Sequence, residues 1–224
     1  MAFDLIIFDC DGVLVDSEVI SCRAHAQVLS RHGYPISADQ VFDRFLGRSS
    51  RQARLEIEAE LGRSLPDNFP AELQDELFRA FAAELQAVPH IAQALDAIAQ
   101  AVCVASSGSQ PRMRASLGHT GLYDRFAPNI FSASEVANGK PAPDLFLHAA
   151  ARMKTAPERC LVVEDSVPGV TGARAAGMPV LGFHGGSHCG AGYGETLRAA
   201  GAAAIFDDMR QLPRLIAEIG ALAS

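Results

Sequence analysis

The sequence predicts an α/β fold: a doubly wound parallel sheet with a helical domain inserted after its first strand. Three observations carry this reading. Short apolar runs alternate along the chain with helical patterns. Those runs are nearly continuous in apolar residues rather than alternating, as strands buried on both faces must be. Between the first run and the rest, residues 17–86 carry helix signals and no convincing strand.

The runs come in order. Residues 5–8 are apolar and end at Asp9; residues 102–105 end at Ser106; residues 161–163 end at Glu164 and Asp165. Residues 180–183 and 203–206 read as further strands. In a doubly wound sheet, ligands bind beyond the carboxyl ends of the strands. The first three runs all deliver polar residues to that edge. In the insert, Ser37 with Gln40 and Ser49 with Gln52 fit the capping box, in which hydroxyl and amide satisfy each other's backbone donors. Gly33, Gly47 and Gly62 stand where helix-terminating glycines would. Leu55, Ile57 and Leu61 give one apolar face, and Leu73, Leu77, Phe78 and Phe81 another. The insert reads as a cap over the active-site edge, with an ordinary helical layer on the sheet as the alternative. The expected division is a core of residues 1–16 and 87–224 and a cap of residues 17–86.

Composition narrows the function classes. The chain has 224 residues, 49% apolar and 20% charged, the balance of a globular protein with ample core. Its formal net charge of −7 points away from nucleic acid and anionic membranes as partners. An anionic substrate would need locally placed cations. No apolar run is long enough to span a bilayer, and residues 1–7 lack the basic start of a signal peptide. The five cysteines are scattered and odd in number, which argues against a disulfide framework or a zinc site and for a cytoplasmic location. The Gly-rich stretch 184–194, with His184, His188 and Cys189, reads as a flexible loop after a strand, because its ligand types fit no recognised zinc spacing.

The chemistry begins with residues 9–16, Asp-Cys-Asp-Gly-Val-Leu-Val-Asp. In an extended segment Asp9 and Asp11 would share a face. Two carboxylates so close repel unless a cation or proton relieves them. Such a pair can bind Mg²⁺, which prefers oxygen ligands, or divide labour between attack and proton transfer. A solvated acidic turn is the alternative for this motif alone. Ser106 precedes Ser107-Gly-Ser109, whose last serine can cap a helix starting near Pro111. Ser106, Ser107 and nearby N–H groups can cradle phosphate, though a plain strand-to-helix turn explains residues 107–109 equally well. Lys140 sits in Gly-Lys-Pro-Ala-Pro-Asp, where two prolines restrict the loop. Glu164 and Asp165 end a buried strand at the ligand edge.

Taken together, these motifs resemble the haloacid dehalogenase (HAD) superfamily, whose core is Rossmann-like, in its branch with a helical cap after the first strand. The sequence is most similar to the β-phosphoglucomutase-like group and, within it, to sugar-phosphate phosphatases. The resemblance covers essentially the whole chain, with four motifs in order at residues 9–16, Ser106, Lys140 and Glu164-Asp165. It implies that Asp9 attacks phosphorus to give an aspartyl-phosphate and that Asp11 is general acid, then general base. It implies Mg²⁺ held by Asp9, the Asp11 carbonyl and Asp165, with Glu164 acting through water. Ser106 would bond the transferring phosphoryl group, and Lys140 would neutralise charge on Asp9 and phosphate.

Two departures stand out. The mutase has a cap-hinge histidine where this chain has Ser21, and the family often has Pro-Gly where this chain has Pro89-His90. The implied function is hydrolysis of a small phosphorylated metabolite, a sugar or sugar-acid phosphate. The alternative is an isomerising phosphotransferase of the β-phosphoglucomutase kind; a phosphoprotein-binding module is the non-enzymatic one. Specificity is expected in the insert, where Arg44, Arg48, Arg51 and Arg79 could meet the substrate. Arg48, after Gly47, and Arg79, which matches a cap position in the phosphatases, are the leading candidates.

Overall fold

The computed structural model describes residues 3–45 and 50–222, without the side chains of residues 50–52. The chain divides into two compact units, one of residues 1–16 and 86–224 and the other of residues 17–85.

The first unit is built on six parallel strands: β1 (Leu5–Phe8), β2 (Ala101–Ser106), β3 (Ile130–Ser132), β4 (Cys160–Glu164), β5 (Val180–Phe183) and β6 (Ala204–Phe206). Their spatial order is β3-β2-β1-β4-β5-β6, so the winding reverses on either side of β1. Every residue of β1 is buried, which accounts for a strand without polar alternation. One face of the sheet presents Leu5, Ile7, Cys103, Ala105, Val162 and Val180 to a single apolar cluster. That cluster takes Leu145, Phe146 and Ala149 from a helix at Asp144–Arg152, and Val170 and Ala173 from another at Val167–Ala175. On the opposite face Phe8 meets Phe126 edge to face, with ring centroids 5.9 Å apart. Each fully buried side chain of this size contributes about 1.5–3 kcal/mol.

The other unit contains helices α1 (Glu18–Arg31), α2 (Ala38–Phe45), α3 (Ser50–Leu61) and α4 (Phe69–Glu84). The remaining helices, all in the sheet unit, are α5 (Ile91–Ala97), α6 (Gln110–His119), α7 (Tyr123–Phe126), α8 (Asp144–Arg152), α9 (Val167–Ala175), α10 (Tyr193–Ala199) and α11 (Leu212–Leu222). Helix α1 packs on α2 and α4 through Cys22, Ala26 and Leu29, which recur on one face at helical spacing and join a core with Val41, Ile57 and Phe69. It closes at Gly33, whose φ of 82° only glycine adopts cheaply. The capping box at α2 is formed: Gln40 N–H donates to Ser37 Oγ (3.1 Å), and Ser37 N–H donates to Gln40 Oε1 (2.9 Å). The corresponding box at Ser49 and the glycine at Gly47 lie outside the described residues.

Two features of the sheet unit differ from the sequence reading. Strand β3 is an extra edge strand of three residues, and strand ends shift by one residue: β6 begins later than its apolar run, whereas β2 and β4 begin earlier and end later than theirs. No helix among the described residues is long and apolar enough to cross a membrane.

Candidate active site

Register brings the motifs together. Phe8 stands opposite Val104 of β2 and Val163 of β4. Asp9 is therefore one residue past the end of β1, beside Ser106 at the end of β2 and Glu164 and Asp165 at the end of β4. The Asp9 N–H extends the ladder to Val163 O (3.0 Å).

Strand β1 stops at Phe8, so strand periodicity does not place Asp11. The chain instead turns, with Leu14 N–H donating to Cys10 O (2.9 Å) and Gly12 N–H to Val15 O (2.8 Å). Gly12 has φ 81°, and a Cβ there would lie 1.8 Å from Asp165 Oδ2. The turn exists in this form only without a side chain at that position. Asp9 and Asp11 consequently meet different cations. Lys140 Nζ donates to Asp9 Oδ1 (2.6 Å), while Arg112 Nη2 donates to Asp11 Oδ1 (2.9 Å).

Lys140 is no solvated surface lysine. Its side chain is 5% exposed, and Nζ also donates to Glu164 Oε1 at 2.6 Å. Burial opposes its charge, but the Asp9 and Glu164 carboxylates outweigh that and hold its pKa above the ordinary lysine range. Glu164 is fully buried, and its second oxygen accepts from Ser166 N–H (2.8 Å) and Ser166 Oγ (2.9 Å). Ser106 Oγ accepts from Gly108 N–H (3.0 Å), which leaves its O–H to donate. Ser107 is exposed beside it, and Ser109 caps α6 by accepting from Arg112 N–H (3.4 Å).

One carboxylate oxygen from each of Asp9, Glu164 and Asp165 lies within 4.8 Å of the others, all three residues being buried. Burial drives the Asp9 carboxyl well above the ordinary range; Lys140 pulls it down, and Glu164 and Asp165 push it up. Burial likewise lifts Asp165 to about 6, against a hydrogen bond from His188. Three crowded acids, met by Lys140 at Asp9 and Glu164 and by His188 at Asp165, are a donor set suited to a hard divalent cation.

Two residues of this cluster escaped the sequence reading. Arg112 sits three residues past a cap that was recognised, but nothing in its spacing pointed to Asp11. His188 lies in the stretch read as a flexible loop. Residues 184–192 do form a loop between β5 and α10, but His188 is enclosed rather than solvated: its side chain is 1% exposed, and Nε2 is 3.0 Å from Asp165 Oδ2. Burial disfavours the imidazolium, yet the bonds to Asp165 and Cys189 raise His188 to about 10.

The candidate arginines belong to the helical unit. Arg44 is consumed within it, donating to Tyr34 OH (2.7 Å), Glu56 (2.8 Å) and Glu60 (2.5 Å). Arg79 is 66% exposed and pairs with Glu76 at 3.2 Å. Arg48 lies outside the described residues, as does the side chain of Arg51. At the other departure, His90 adopts φ 66° at the start of α5, the backbone for which glycine is the ordinary choice.

Comparison with known proteins agrees with this geometry. A family model described as haloacid dehalogenase-like hydrolase matches residues 3–177. The chain is 34% identical to 6-phosphogluconate phosphatase of Escherichia coli (strain K12), across 80% of this chain and 82% of that protein. It is 32% identical to a phosphorylated carbohydrates phosphatase of Thermotoga maritima, across 78% and 82% respectively. A solved haloacid dehalogenase-like protein from Agrobacterium tumefaciens superposes with a TM-score of 0.83 at 39% identity, covering 97% of this chain and 99% of that one. The chain belongs to the haloacid dehalogenase-like hydrolase family.

Proposed function

We propose that this protein is a Mg²⁺-dependent phosphatase that hydrolyses a sugar or sugar-acid phosphate through an aspartyl-phosphate on Asp9. The phosphoric-monoester hydrolase class rests on the relatives named as phosphatases. The observation that carries the mechanism is the buried pairing of Lys140 with Asp9 and Glu164, beside Asp165, at the carboxyl edge of the sheet.

Asp9 attacks phosphorus in line, and the ester oxygen leaves with a proton from Asp11. Asp11 then removes a proton from water, which attacks the aspartyl-phosphate and releases inorganic phosphate. Lys140 neutralises negative charge that builds on the phosphoryl oxygens, and the Ser106 hydroxyl, with Ser107 at the same turn, donates to them. Such a reaction depends chiefly on alignment and charge compensation. Asp9, Asp165 and the Asp11 carbonyl would hold the cation, with Glu164 reaching it through water because both its oxygens are engaged by protein groups. The cation supplies charge that keeps Asp9 ionised among its acidic neighbours.

The helical unit acts in this reading as a cap that admits substrate and selects its non-phosphate part, with Arg48 and Arg79 the residues offered to it. Ser21 favours hydrolysis over isomerisation. It stands where the mutase resemblance expects a hinge histidine, and its Oγ donates to the carbonyl of Ser17, the residue before α1 (2.8 Å). The test is a panel of sugar phosphates, including β-glucose 1-phosphate, assayed with Mg²⁺ for inorganic phosphate. Free phosphate supports the reading. Conversion of β-glucose 1-phosphate to glucose 6-phosphate without free phosphate replaces it by the mutase.

A further inference from the structure

The loop between β5 and α10 is joined to both acidic motifs of the site. Ser187 N–H and Oγ both donate to Asp16 Oδ1, at 3.0 and 2.8 Å, which ties the loop to the last residue of the first motif. One residue on, His188 Nε2 meets Asp165 Oδ2 at 3.0 Å. A carboxylate only accepts, so Nε2 carries the proton in this pair. The ring fits between two glycines. A Cβ on Gly186 would lie 2.7 Å from its Cε1, and one on Gly12 would lie 2.9 Å away. Tyr193, at the start of α10, closes the third side edge to face with centroids 6.1 Å apart. The Cys189 N–H donates to Gly186 O (3.0 Å) and closes the turn that presents the ring.

We propose that His188 is a positioning residue for the cation site: held by the Ser187–Asp16 anchor, it fixes the plane of the Asp165 carboxylate so that Asp165 is presented to Mg²⁺ in one orientation. The inference rests on the cation reading of the acidic cluster and extends it to a loop outside the four motifs. A ligand carboxylate free to rotate loses orientational entropy on binding metal, and a donor behind it removes that cost in advance. Loss of such an outer partner lowers metal affinity about 10–100-fold.

The test is calorimetric titration of the full chain with MgCl₂, without substrate, for wild type, Asp165→Ala, His188→Leu and His188→Gln. Leucine keeps the bulk and removes the donor; glutamine keeps an N–H donor. His188→Ala serves if leucine prevents folding, as judged by thermal unfolding in EDTA. The expected result is strong loss of binding in Asp165→Ala, about 10–100-fold weaker binding in His188→Leu, and substantial recovery in His188→Gln. Wild-type affinity in His188→Leu or His188→Ala, with binding lost in Asp165→Ala, overturns the role of His188 and leaves the cation site standing. Equal loss in the leucine and glutamine variants also overturns it, since the donor would then be irrelevant. Undiminished binding in Asp165→Ala, or none in wild type, removes the cation site itself and the inference with it.

Discussion

Lys140 Nζ lies 2.6 Å from Asp9 Oδ1 across 131 residues of sequence, and the same nitrogen is 2.6 Å from Glu164 Oε1. A single buried cation thus ties the first motif to the fourth. Replacing Lys140 with Met should lower kcat by about 10²–10³-fold, the scale for losing one preorganised charge-stabilising donor. Lys140→Arg should not rescue it, because a planar guanidinium does not fit a point-charge site whose side chain is 5% exposed. Steady-state phosphate release checks both; activity within a few-fold of wild type in Lys140→Met would separate the lysine from the chemistry.

Two glycines in helices should respond in opposite directions to alanine. In α6 a Cβ on Gly118 meets nothing within 4 Å, so Gly118→Ala should stabilise by about 0.5–1 kcal/mol through the unfolded state. In α9 a Cβ on Gly169 would fall 1.8 Å from Glu164 Oε1. Gly169→Ala should therefore destabilise by about 1–3 kcal/mol and displace the carboxylate that holds Lys140. Denaturant unfolding decides it, and a shared sign for the two variants would contradict the packing described around Glu164.

His90 should gain from losing its side chain. It holds φ 66° as the residue before α5, a conformation that costs a residue with a Cβ about 1–2 kcal/mol. His90→Gly is expected to raise stability by about 1 kcal/mol, net of the extra entropy of a glycine in the unfolded chain. A lower unfolding midpoint would show that the imidazole makes contacts worth more than the strain.

Chelation should silence the enzyme, and Mg²⁺ should restore it. The pH dependence follows in sign. Burial raises the Asp9 carboxyl, so its reactive ionised form grows as pH rises, and a nearby cation lowers the pH at which that happens. The acidic limb of the rate profile should therefore move to lower pH as Mg²⁺ increases from limiting to saturating. A limb that stays fixed would mean that the ionisation limiting the rate is not coupled to the cation.

Much of this was legible in the chain because β1, β4 and the last four residues of β2 are buried and these strands end abruptly in polar residues. Four apolar residues followed by Asp9 announce a strand and its ligand edge without any alignment. Strand β3 was not legible: Ile130, Phe131 and Ser132 are too few to show a period, and the strand exists because Val104 and Ser106 of β2 pair with it. The Ser109 cap was readable from local chemistry, whereas the reach of Arg112 to Asp11 depends on where α6 lies against the first turn. His188 was hidden for the same reason. Its pocket is formed by Gly12 and Gly186, far apart in sequence, and a glycine-rich stretch reads locally as loop whether or not it encloses a side chain.

If Asp9 takes the phosphoryl group, the aspartyl-phosphate can be trapped on it. The enzyme is mixed with a turned-over sugar phosphate and Mg²⁺, quenched in acid within one turnover, and reduced with borohydride, which converts an aspartyl-phosphate to homoserine. Peptide mass mapping should find homoserine at position 9, in wild type and not in Asp9→Asn. Modification at another residue, or turnover of the same substrate by Asp9→Asn within about tenfold of wild type, a barrier change of only ~1.4 kcal/mol, would rule out Asp9 as the nucleophile.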